Sequence, residues 1–177
     1  MSRGARLRAA LLTTLLAVRP LPVRAQPPES DGWSLFTATW NLSGERQLLP
    51  TEGGRHASVV HLSGSMTVKG GEGIGRGFLV EMIGFDDGAT LLVGRSVLTD
   101  EHADRIYCTL KADTIGAGRR GTGTITGGSG RYAETEGSYT FTWQYVVDAG
   151  SGEISVRSVN LEGRIRRAPP PAREAKP

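Results

Sequence analysis

The chain has 177 residues, with 21 Lys and Arg against 18 Asp and Glu, one cysteine and 25 glycines. Five of its arginines, Arg3, Arg6, Arg8, Arg19 and Arg24, lie in the first 25 residues, which contain no acid. The rest of the chain holds 16 basic and 18 acidic residues, a net charge of −2, so the basic total gives no case for a nucleic acid or an acidic membrane surface as partner.

From the N-terminus, three arginines precede the apolar run 9–18, and Leu21-Pro22-Val23-Arg24-Ala25 follows it, ending in a small residue. This is the layout of a secretory signal peptide cut after Ala25. The run is about ten residues long, half of the roughly 20 needed to cross a bilayer as a helix. We therefore expect residues 1–25 to be a signal peptide and the protein to be periplasmic or secreted, without stable membrane insertion. Residues 26–32 are polar and proline-bearing and read as a flexible segment.

Residues 33–167 read as one domain. Apolar residues never hold helical spacing for three turns there. Instead β-branched and aromatic runs recur at 33–42, 57–68, 77–85, 90–98, 105–111, 121–126, 137–147 and 153–165, separated by Gly, Asn or Asp. Asp86-Asp87-Gly88, 113–118 and 148–152 have hairpin chemistry, because Gly and Asp tolerate positive φ. An even set of eight short runs predicts an all-β fold, a single closed antiparallel eight-stranded β-barrel, since closure removes the edges that invite aggregation. The stretch 168–177, APPPAREAKP, has no apolar periodicity and reads as a disordered tail.

Alternation predicts which side chains turn inward. In 138–145, Tyr139, Phe141, Trp143 and Tyr145 alternate with Ser138, Thr140, Thr142 and Gln144. In the first run Phe36, Ala38, Trp40 and Leu42 share a face, and in the second Val60, Leu62, Met66 and Val68 do. Leu35, Leu79, Ile83 and Leu91, however, lie on faces opposite other apolar residues. Strands apolar on both sides are expected in an oligomer or beneath a covering loop or tail.

The densest glycine region is 116–137. It lacks the strand, GxGxxG or GxxxxGK[ST] spacing and helix of a phosphate loop. Gly121 and Gly123 are expected to relieve crowding where a strand bends, and Gly127, Gly128 and Gly130 to build a tight turn.

The stretch GTGTITGGSGRYAETEGSYTF resembles the glycine-rich GxGxxTGGTGRYxGxxG segment of bacterial proteins related to the allene oxide cyclase and dirigent-like β-barrels. Gly94-Arg95-Ser96-Val97-Leu98-Thr99-Asp100 and Ile106-Tyr107 are similar to that group's middle strands. The likeness spans about 33–166 and is sharpest over 121–137, where Ser129 replaces the usual Thr and Glu134 a small residue. It implies an eight-stranded barrel, often oligomeric, with a cavity for a hydrophobic or aromatic molecule. The plant enzyme's catalytic residues have no counterparts that can be matched here.

Chemistry-bearing residues are few. His56, His61 and His102 lack metal-ligand spacing, so neither a metal nor another cofactor is expected. Asp100-Glu101-His102-Ala103-Asp104 reads as a solvated hairpin rather than a cation loop. Glu81, between Val80 and Met82, is the strongest candidate acid or base, provided that burial raises its pKa. Tyr107 and Cys108 are the other candidates, although a lone buried cysteine more often packs as a small hydrophobe. No Ser-His-Asp order with a GxSxG elbow is present.

Two functional readings follow. In the first, Phe36, Trp40, Tyr139, Phe141, Trp143 and Tyr145 hold a small apolar or aromatic molecule, or the barrel serves as a homo-oligomeric scaffold. The second is a cyclase or isomerase that folds an apolar substrate inside the barrel and would need Glu81, Tyr107 and Cys108 to converge on its cavity.

Overall fold

Strict alternation over successive strands leaves one face to bury, and eight such strands can bury it together by curling around it. The computed structural model describes residues 32–89, 91–112 and 119–167. The signal-peptide and tail readings lie outside the described residues. The strands are β1 (Ser34–Pro50), β2 (His56–Lys69), β3 (Gly77–Asp86), β4 (Leu92–Thr99), β5 (Arg105–Ala112), β6 (Arg119–Gly128), β7 (Thr135–Asp148) and β8 (Glu153–Arg167). Each pairs antiparallel with the next, and β1 pairs with β8, which closes the barrel. Each of the eight runs read from the sequence is a strand.

The first run extends eight residues beyond its expected end at Leu42. Ser43-Gly44-Glu45-Arg46 looks like a break, yet β1 stays in register with β2 as far as the Pro50–His56 pair. Pairing has overridden a poor local propensity.

The barrel is filled from the inside. Phe36, Ala38, Trp40 and Leu42 of β1 lie beside Val60, Leu62, Met66 and Val68 of β2 in a core that takes in Met82, Ile106, Cys108, Phe141 and Trp143. Two wall positions make room for rings. Gly121 is the cross-strand partner of Phe141, and Gly123 that of Tyr139. A Cβ on Gly121 would lie 2.5 Å from the Phe141 ring, and one on Gly123 2.0 Å from the Tyr139 ring. These glycines serve less to relieve a bend than to give the aromatic rings a flat surface.

At one end, the tyrosine end, the hairpins 100–104 and 129–134 meet the 70–76 connection. Tyr132, only 1 % exposed, plugs the opening. Its hydroxyl accepts the Gly75 N–H at 3.0 Å, and its ring centroid lies 6.0 Å from that of Phe78. Asp100 is buried here and not solvated as expected: its carboxylate accepts the N–H groups of His102 at 2.8 Å and Asp104 at 3.0 Å, as well as the Arg131 guanidinium. Arg131 in turn lies 5.0 Å from the Tyr132 ring centroid. Of the three glycines expected to build the turn, Gly127 and Gly128 end β6 and Gly130 alone lies in the turn itself. Gly127 has φ +137° at a bulge and Gly130 has φ +56°.

The opposite, tryptophan end includes 51–55, 87–89 and 149–152. Trp40 packs edge-on against Phe141 and Trp143, with centroids 5.4 and 5.6 Å apart, and Trp143 against Tyr145 at 5.9 Å. Arg46 and Asp148 form an ion pair at 2.5 Å on its rim.

Candidate functional site

Three parts of the described structure bring chemically useful groups together: the barrel interior, a recess at the tryptophan end, and the outer face of β2–β5.

In the interior, Ser96 and Cys108 are cross-strand partners, and both lie beside the Tyr139 hydroxyl. Ser96 makes no hydrogen bond of good geometry. Burial pushes the Cys108 thiol up to about 11 and raises the Tyr139 hydroxyl well above its usual value. At neutral pH both keep their protons, so Cys108 is a packed thiol and not a poised thiolate. Beside this trio is a void of about 10 Å³, lined by Trp40, Met66, Met82 and Phe141 among others. Such a space holds one water at most.

The recess at the tryptophan end is wholly apolar. Val60, Met82, Gly84, Leu92, Ala112 and Trp143 surround about 20 Å³ of space. The indole N–H of Trp143 is buried without a partner, and so is Nε of Arg46. Of the six aromatic residues predicted to bind a ligand, Phe36, Trp40, Tyr139, Phe141 and Trp143 are all buried within the barrel, and Tyr145 is half-buried against them. The structure does bring them together, but they pack on one another and fill the barrel.

The three catalytic candidates do not converge. Glu81 is exposed, Tyr107 is 38 % exposed and Cys108 points inward. Glu81 and Tyr107 share the outer face, with Val97 as the cross-strand partner of both. Glu81 thus lacks the burial that its candidacy as an acid or base required. His56, His61 and His102 are exposed, and among the described residues no group of three His, Cys, Asp or Glu side chains could hold a metal ion.

The outer face of β2–β5 is apolar over several strands. Register sets Val59, Phe85, Val93 and Lys111 in one row, then His61, Ile83, Arg95 and Thr109, then Ser63, Glu81, Val97 and Tyr107, then Ser65, Leu79, Thr99 and Arg105. Leu79 is 69 % exposed and Ile83 57 %, with Val59 and Phe85 also open to solvent. A groove of about 500 Å³ runs over the first two rows, floored by Gly84 and Gly94, which are themselves cross-strand partners. Of the residues that alternation marks as doubly apolar, Leu35, Leu79, Ile83 and Leu91, this face holds Leu79 and Ile83, and alternation alone does not make Val59, Phe85 and Arg95 their neighbours. Shared parity along the runs 57–68 and 77–85 was the available signal, and only the register of β2 on β3 turns it into a patch.

Compared with known proteins, the chain matches no family model, and no curated protein matches it.

Proposed function

We propose that this protein is an exported barrel that works through its outside, as an oligomeric scaffold, rather than by holding a substrate inside. The observation that carries this reading is a contrast between surfaces. The interior is occupied by its own aromatic side chains, while Leu79, Ile83, Phe85 and Val59 lie in water on one outer face. Monomeric proteins rarely leave a contiguous apolar patch uncovered, and such patches mark sites of association. The resemblance to the allene oxide cyclase and dirigent-like barrels agrees with an exported barrel that assembles. The cyclase reading would need a substrate-sized cavity with polar groups converging on it.

One observation favours a second reading, in which a small apolar molecule binds at the tryptophan end. Trp143 is one wall of the apolar recess, and a ligand with an acceptor atom that reached its unpartnered indole N–H would gain a hydrogen bond. With about 20 Å³ of space, even a ring-sized ligand would have to displace side chains to enter. Native mass spectrometry of the exported protein tests both readings. An assembly of bare chains is expected. A monomer that retains a small molecule in one-to-one ratio would overturn the scaffold in favour of the ligand.

A further inference from the structure

We infer that the groove over the β2–β5 outer face is a binding site for a small amphipathic carboxylate, whose apolar body lies along β2 and β3 and whose head lies between Arg95 and Lys111. The inference goes beyond the scaffold reading and does not rest on it.

The first argument is charge. Arg95 pairs with Thr109 and Lys111 with Val93, so the two cations are diagonal neighbours on adjacent strands. Both are exposed and both line the groove. Neither forms an ion pair among the described residues, and no acid lines the groove with them. Glu81, the one acid in the four rows of this face, sits in the third row, beyond Ile83. Like charges within reach of each other across strands repel. An anion set between them relieves that repulsion, and the guanidinium of Arg95 can offer a carboxylate two parallel N–H donors.

The second argument is shape. Val59, Phe85 and Val93 form one wall with Lys111 at its end, Ile83 and Arg95 stand in the other, and the backbone of Gly84 and Gly94 is the floor between them. The apolar side chains thus lie mainly over β2 and β3, and both cations over β4 and β5. Four strands about 4.8 Å apart span about 14 Å. That length and a volume of about 500 Å³ suit one small molecule with a charged head and an apolar body. A recess takes in one free molecule, whereas the surface of a bilayer would not reach its floor. A groove open to solvent releases its occupant on dilution, so chains that are bare after purification agree with it.

Isothermal titration calorimetry of the exported full-length protein tests this with decanoate, kept below its micellar concentration, beside decyltrimethylammonium and decanol, which carry the same tail on a cationic and a neutral head. Decanoate is expected to bind one-to-one, and the other two about tenfold more weakly or worse. Arg95→Gln and Lys111→Gln should each weaken decanoate binding about tenfold, Arg95→Lys should weaken it less, and Ile83→Asp should abolish it. All the substituted positions are exposed, and circular dichroism checks that each variant remains a barrel. Equal binding of the three amphiphiles, or decanoate binding indifferent to both Arg95→Gln and Lys111→Gln, would overturn the site. So would binding to phosphatidylglycerol vesicles with none to free decanoate. Sedimentation of the same proteins reads the scaffold separately: an assembly that binds no decanoate overturns this inference alone, and a monomer that binds it overturns the scaffold alone.

Discussion

At the tyrosine end the barrel is shut by polar groups that hold one another in place. At the tryptophan end the opening itself is filled by apolar bulk, and Asp86 and Asp87 accept hydrogen bonds within their own turn. Asp100 reaches across 31 residues of sequence to Arg131, and between them they fix the hairpin whose Tyr132 fills the opening. The opposite mouth depends on the rings of Trp40, Phe141 and Trp143, and the Arg46–Asp148 ion pair on its rim is partly exposed. The difference teaches that one end is specified by direction, through hydrogen bonds that accept a single geometry, and the other by volume.

The largest expected effect lies at the volume-specified end. Trp143→Ala should cost about 3–5 kcal/mol, since it leaves a hole among rings with nothing to collapse into it. Thermal or denaturant unfolding measures this, and a loss below about 1 kcal/mol would mean that the mouth is not held by packing.

A smaller effect is expected at the directed end. Asp100→Ala strands two backbone N–H groups, while Arg131 can return partly to water, so about 2 kcal/mol is expected. This loss should depend on pH. Burial alone would raise the Asp100 carboxyl, but the His102 and Asp104 N–H groups and Arg131 outweigh it and hold it below the usual carboxylate range. A carboxyl with a depressed folded-state pKa contributes fully above its unfolded value, about 4, and loses that contribution as pH falls through the folded one. The gap between wild type and Asp100→Ala should therefore be constant near neutrality and shrink below about pH 4. A gap independent of pH would show that Asp100 acts by shape and not by charge.

The smallest effect sharpens the contrast. Asp148→Ala removes the Arg46–Asp148 ion pair at the rim of the tryptophan end, where Asp148 is 45 % exposed, and should cost less than about 1 kcal/mol. A cost equal to that at Asp100 would make the two ends alike.

Which parts of this were legible beforehand follows from what each depends on. The eight strands and the buried aromatic row of β7 could be read because period-two alternation is local and survives intact from Tyr139 to Trp143. The tyrosine latch could not, because Asp100 and Arg131 look like ordinary loop residues until β4–β5 and β6–β7 are folded side by side. Glu81 was ambiguous because Leu79 and Ile83 share its face: an apolar neighbourhood suggested an interior, but on this strand the inward positions are Phe78, Val80 and Met82. The fullness of the interior was hidden as well. It depends on the summed volume of eight strands, and on Gly121 and Gly123 giving way to two specific rings.

The pairing of β1 with β8 has a consequence for how the chain comes into being. Ser34 meets Ile165, so the first strand to be made finds its second neighbour only when the last is complete. Contacts between the ends of a chain close slowly, typically in milliseconds to seconds. Throughout that interval β1 and β7 present open edges able to template pairing with another molecule. A chain halted anywhere before β8 would keep those edges for good. Length itself therefore acts as a checkpoint: only a chain synthesised through its final strand has no free edge left to offer.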